Sequence, residues 1–134
     1  MTSESALTCQ REGLIFLDPK KIAIIGGTGV YQNAFLEDSQ EMIVETRFGR
    51  AILYCSHYQK KKLFFLARHG IGHALPPHLV NYRANIAAIK KLGIDTVIAT
   101  AAVGSLRREM PPGSIVVIDQ FIDFTKSRRS TFYE

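Results

Sequence analysis

The apolar run Leu63-Phe64-Phe65-Leu66-Ala67 is followed by Arg68-His69-Gly70, a double proline at Pro76-Pro77, an amphipathic stretch and a second apolar run, Asp95-Thr96-Val97-Ile98-Ala99-Thr100. Strand, helix and strand in such short order predict a right-handed βαβ unit, and the second strand reads as buried. The helix rests on Leu79, Tyr82, Ile86 and Ile89, which are three, four and three residues apart, with Leu92-Gly93 as its stop. Pro76 and Pro77 bias the chain before them to extended geometry and suit a first helical turn.

Further strands are predicted on either side. Lys21-Ile22-Ala23-Ile24-Ile25 is continuously apolar, as in a strand covered on both faces, and runs into Gly26-Gly27-Thr28-Gly29. Met42 to Thr46, Arg50 to His57 and Leu63 to Ala67 read as strands, the first two joined as a hairpin through Phe48-Gly49. Ser114 to Gln120 gives one more after the Pro111-Pro112-Gly113 turn. Strands outnumber helices too strongly for a finished parallel sheet, so the chain reads as the front part of a larger fold.

Several function classes are excluded by composition. Lys and Arg number 17 against 12 acids, a net charge of +5 over 134 residues, but they are scattered in short pairs. No basic stripe interleaved with aromatic platforms is present, which argues against a nucleic-acid partner and fits an anionic small substrate. Cys9 and Cys55 have no metal spacing and suit a reducing compartment. The first residues lack a signal-peptide pattern and no apolar run reaches the ~20 residues of a membrane span, so a cytoplasmic protein without a membrane partner is expected.

The candidate chemistry sits at strand ends. A guanidinium beside an imidazole, Arg68 with His69, forms an anion clamp with a titratable second donor, at the place where parallel sheets hold ligands. The glycine turn does not match a dinucleotide fingerprint, because Gln32 stands where the third glycine is needed, and no Gly-Lys-Ser or Gly-Lys-Thr follows. It still lets backbone N–H groups approach an anion, with the Thr28 hydroxyl beside them. His69, His73 and His78 lack a carboxylate or thiol companion and Pro76-Pro77 interrupts them, so no metal is expected. Ser105 is not in a nucleophile elbow, and Asp119 with Asp123 reads as a solvated edge rather than an acid pair.

Gly26-Gly27-Thr28-Gly29, Arg68-His69-Gly70, Pro77-His78, Asn81-Tyr82-Arg83-Ala84-Asn85, Val103-Gly104-Ser105-Leu106 and Pro112-Gly113 leading to Asp119-Gln120-Phe121-Ile122-Asp123 occur in one order and spacing. In that order they resemble the N-terminal half of the 5'-methylthioadenosine phosphorylase and purine nucleoside phosphorylase family, from about Lys21 to the last residue. The resemblance implies an α/β fold with a mixed sheet and flanking helices, lacking its C-terminal half. Residues 1–20 would be an N-terminal extension, and 21–134 the N-terminal part of a single phosphorylase domain. It also implies a pentosyltransferase reaction. Phosphate would cleave the N-glycosidic bond of a purine nucleoside, foremost methylthioadenosine, giving free base and 5-methylthioribose 1-phosphate without a cofactor. A 6-oxopurine nucleoside or methylthioinosine is the alternative substrate, and a non-catalytic phosphate-binding or partner module the alternative class.

By the same resemblance Thr28, Arg68, His69, Ala101 and Ala102 would bind phosphate, Ala102 through its backbone N–H. Ala101 departs from the Thr or Asn usual there and leaves only backbone at that position. The groups that grip the purine and the leaving-group acid are not in this sequence, so the chain alone is expected to be inactive, and a homotrimer is expected of the full-length form.

Overall fold

The computed structural model describes residues 21–27, 30, 38–59, 61–126, 128–129 and 131–133. The extension 1–20, Cys9, Thr28 and Gly29 lie outside the described residues. Two units are present, one through Ala101 and one from Ala102 onward.

The first unit is built on a mixed five-stranded sheet. The strands are β1 (Ile22–Gly26), β2 (Gln40–Thr46), β3 (Gly49–Tyr58), β4 (Lys61–Ala67) and β5 (Thr96–Ala99), in the spatial order β2-β3-β4-β1-β5. β2, β3 and β4 form an antiparallel meander, whereas β1 pairs in parallel with β4 on one side and with β5 on the other. The expected strand, helix and strand all form, but β1 lies between the two strands of that unit. The chain therefore crosses from β4 to β5 by way of α1 (Tyr82–Lys91), over one intervening strand.

Alternation decides which face is covered. Register places Met42 opposite Leu53, Val44 opposite Ala51, Cys55 opposite Phe64 and Ala23 beside Phe64, so these side chains share one face. They form a single apolar cluster with Leu66, Ala88, Ile89 and Ile94. Ala84 and Ala88 have no exposed surface, and their small side chains allow the helix backbone to approach the sheet closely. The opposite face carries Ile43, Ile52 and Ile98, which remain 52%, 41% and 50% exposed. Cys55 is a buried free thiol.

α1 starts later than its apolar spacing suggested, because Pro77–Leu79 forms a separate 3-10 turn. Asn81 caps the helix: its Oδ1 accepts from the N–H of Ala84 at 3.1 Å, while its Nδ2 donates to the Phe48 carbonyl at 2.7 Å. Within the hairpin turn the Arg47 guanidinium lies 4.6 Å from the centroid of the Phe48 ring, and that of Arg83, 5.0 Å from the same centroid, joins the β2–β3 hairpin to the start of the helix. At the other end Gly93 adopts φ +64°, the left-handed stop expected of it, and Lys21 Nζ donates to the Leu92 carbonyl at 3.0 Å.

Two expectations about strands are corrected. Thr96 to Ala99 forms β5, but all four residues are exposed: it is an edge strand, and no described layer covers Val97 and Ile98. Ser114 to Gln120 is not a strand. Its β-branched run has the propensity, yet a strand exists only by pairing, and this run carries no regular structure, leaving Ile115 96% exposed. The second unit holds local turns instead, such as Ser114 N–H to the Pro111 carbonyl across Gly113 at φ +89°. Asp123 caps another turn by accepting from the Thr125 N–H at 2.8 Å; the side-chain and backbone hydrogen bonds from Thr125 hold its carboxyl below the usual range.

Candidate functional site

β4 and β1 end side by side, and the backbone of Arg68 extends their ladder by donating to the Gly26 carbonyl at 3.0 Å. That bond fixes where the Arg68 side chain begins. From there the guanidinium runs across the strand ends, with Nη1 3.5 Å from the Thr100 carbonyl just beyond β5. Thr100 is held in turn by its own N–H to Ile25 O at 2.9 Å. A Cβ on Gly27 would stand 2.6 Å from Arg68 Nη2, so the guanidinium lies where only a glycine leaves room.

His69 is clamped from both sides of its ring. Nδ1 is 3.0 Å from the Leu75 carbonyl, and Nε2 accepts from Arg68 Nε at 3.4 Å. The loop that brings Leu75 back is tight: its N–H donates to the His69 carbonyl at 2.8 Å, and Gly70 and Gly72 take φ +72° and +70°. His73 shares the left-handed region at φ +59° and stacks on His69, with ring centroids 5.1 Å apart and planes 26° from parallel. A histidine there is strained unless its surroundings impose it.

Arg68 also lines a cavity of about 320 Å³ with Arg50, Tyr54, Leu75, Asn81 and Asn85 among its walls. Tyr54 donates to Glu41 Oε2 at 3.0 Å across the β2–β3 pair. Partial burial, and then the Glu41 carboxylate, push its phenol above the ordinary range.

Of the residues expected to bind phosphate, the structure brings Arg68 and His69 together at the strand ends. Ala101 follows Thr100 directly and is exposed, Ala102 opens the second unit, and Thr28 lies outside the described residues. Sequence reasoning missed the Thr100 carbonyl, because a backbone acceptor leaves no signal in residue type. It also missed the cavity wall formed by Arg50, Asn81 and Asn85, which depends on strand register. The stacking of His73 could have been suspected from the glycines at 70 and 72, which allow the chain to double back. Among the described residues no group of three His, Cys, Asp or Glu is placed to hold a metal, and no helix is long and apolar enough to cross a membrane.

The resemblance read from the motifs is matched by comparison with known proteins. "Probable 6-oxopurine nucleoside phosphorylase" of Dictyoglomus turgidum is 53% identical over 113 residues, covering 84% of this chain and 43% of that protein. "S-methyl-5'-thioadenosine phosphorylase" of Hyperthermus butylicus is 52% identical over 115 residues, covering 84% and 42%. The solved structure of methylthioadenosine phosphorylase from Schistosoma mansoni in complex with tubercidin superposes with a TM-score of 0.78 at 40% identity, covering 85% of this chain and 41% of that one. The chain thus spans less than half the length of these relatives, and its mixed sheet with a crossing helix is the corresponding part of their fold. Residues 21–134 match the phosphorylase superfamily, and the chain belongs to that family.

Proposed function

We propose that residues 21–134 are the N-terminal part of a single purine nucleoside phosphorylase domain that acts on S-methyl-5'-thioadenosine. The observation that carries this reading is the Arg68–His69 pair, a guanidinium beside an imidazole at the ends of β4 and β1 in a chain of this family. In the reaction a phosphate oxygen attacks the anomeric carbon while the N-glycosidic bond breaks. The bonding electrons leave with the purine, which takes a proton. Arg68 holds phosphate by charge-assisted hydrogen bonds, His69 flanks it, and Thr28 and the backbone at Ala101 and Ala102 complete the set. Positioning and charge stabilisation then lower the barrier with no covalent intermediate and no cofactor.

A 6-oxopurine nucleoside is the second reading, supported by the 53% identity to the Dictyoglomus relative beside 52% to the Hyperthermus one. The active form is proposed to be a cytoplasmic homotrimer. The test joins residues 21–134 to the remaining part of the Hyperthermus relative and follows free base from methylthioadenosine and inosine. Base release that needs phosphate and is lost with Arg68→Ala is expected. Release that proceeds equally without phosphate would mean hydrolysis and would sink the reading.

A further inference from the structure

Both partners of the His69 ring have fixed polarity. The Leu75 carbonyl beside Nδ1 only accepts, and the Arg68 Nε–H beside Nε2 only donates, since arginine keeps its proton. The ring is therefore the neutral tautomer with its hydrogen on Nδ1 and a lone pair at Nε2 turned toward the guanidinium. In this state His69 offers an entering oxyanion no N–H. Its Nε2 lone pair, which now accepts from Arg68 Nε–H, would face an anion that displaced that contact.

Ring rotation does not resolve the conflict easily. Turning the imidazole would break its bond to Leu75, whose own N–H is tied back to the His69 carbonyl, and would unstack His73. The remaining way to make Nε2 a donor is to add a proton. Among the described residues, Arg68 is bonded to the ring and His73 is stacked on it, while Arg50 and Tyr54 line the cavity that Arg68 also lines. The ends of β1 and β5 meet the guanidinium through Gly27, which has no side chain, and the Thr100 carbonyl.

We propose that an oxyanion binds beside Arg68 together with one proton, taken from solvent onto Nε2 of His69. This rests on the reading that Arg68 and His69 hold phosphate. Nδ1–H stays on the Leu75 carbonyl, and the Arg68–His69 hydrogen bond opens. Arg68 Nε–H and His69 Nε2–H then both donate to the anion, which loses and gains no bond of its own. Linkage makes the effect reciprocal: lower pH favours the anion, and the anion favours the imidazolium.

Sulfate is the probe for the test, since it keeps its charge through the window in which imidazoles titrate and carries no proton to give. It is titrated calorimetrically into the whole chain in two buffers of different ionisation enthalpy, with phosphate run in parallel. Net uptake approaching one proton per sulfate is expected, with affinity falling by up to about tenfold per pH unit on the alkaline side. Uptake should vanish in His69→Gln and persist in His73→Gln. Nitrogen NMR of the histidine rings gives a second reading that does not depend on a variant folding: Nδ1–H tautomer at His69 without sulfate, imidazolium with it. Sulfate binding without proton uptake overturns the inference while leaving the phosphate clamp standing. So does uptake that survives His69→Gln, or an Nε2–H tautomer in the anion-free protein. If neither anion binds the folded chain, this inference and the phosphorolysis reading fall together.

Discussion

Gly27 and Arg68 share one space: a methyl group on the glycine would lie 2.6 Å from Nη2 of the guanidinium. The atom in the way is the far end of a flexible side chain, and Gly27 is not among the positive-φ glycines. Gly27→Ala should therefore fold with stability within about 1 kcal/mol of the parent, because restricting the unfolded chain offsets the small adjustment. Anion affinity should fall, since the guanidinium must swing off the strand ends. Thermal melts and sulfate titration on the same sample separate the two effects. A large loss of melting temperature would show that the backbone, not Arg68, had moved.

Removing the guanidinium itself tests the clamp directly. Arg68→Ala is expected to weaken phosphate binding between several-fold and a hundredfold, the range corresponding to about 1.5–3 kcal/mol for a charge-assisted contact. Arg68→Lys should recover only part of this, because a point charge cannot reproduce the planar fork. Phosphate titration that is unchanged in a folded Arg68→Ala chain would remove the proposed site.

Asn81 serves two elements with one amide, capping α1 through Oδ1 and holding the β2–β3 turn through Nδ2. Asn81→Ala should cost about 1–2 kcal/mol from the cap, with a further loss from the unpaired Phe48 carbonyl. Asn81→Asp keeps the acceptor but not the donor and should fall between. Urea denaturation midpoints decide the order, and an Asp variant as weak as Ala would mean that the Phe48 link dominates.

Much of this arrangement was legible in the sequence, and the failures have a common cause. β1, the hairpin, β4 and α1 follow from local periodicity and turn residues, and Gly93 marks the end of the helix, whereas its start at the Asn81 cap was not read. The burial of Val97 and Ile98 and the strand at Ser114 to Gln120 were misread because apolar runs say that a face wants cover, not that it has it. Arg68 beside His69 could be chosen from residue type and position after a strand. Their mutual hydrogen bond, the Thr100 carbonyl and the His73 stack are set by chain reversal and register, which residue types do not encode.

The exposed isoleucines at the β2–β3 edge should govern behaviour in solution. Ile43 and Ile52 face each other across the β2–β3 pair and are about half exposed. Adjoining apolar surface of this kind drives association. Sedimentation at micromolar concentration should reveal oligomers or loss to precipitate, relieved by Ile43→Lys with Ile52→Thr. A sharp monomer peak for the parent chain would contradict this.

β1 comes first in sequence among the described strands, yet both of its partners lie far along the chain. Its neighbours in the sheet are β4 and β5, whose register partners Leu63 and Thr96 follow Ile22 by some 41 and 74 residues, while β2, β3 and β4 are joined in sequence by short turns. Closing long loops is slow and closing hairpins is fast. The meander is therefore expected to form first, and the strand that ends at Gly26 to pair once β4 presents an edge. Pulsed hydrogen exchange during refolding should protect β2, β3 and their shared edge with β4 before the amides of Ile22 to Gly26. The proposed anion clamp, whose Arg68 is bonded to Gly26, would then be among the last parts of the described structure to assemble.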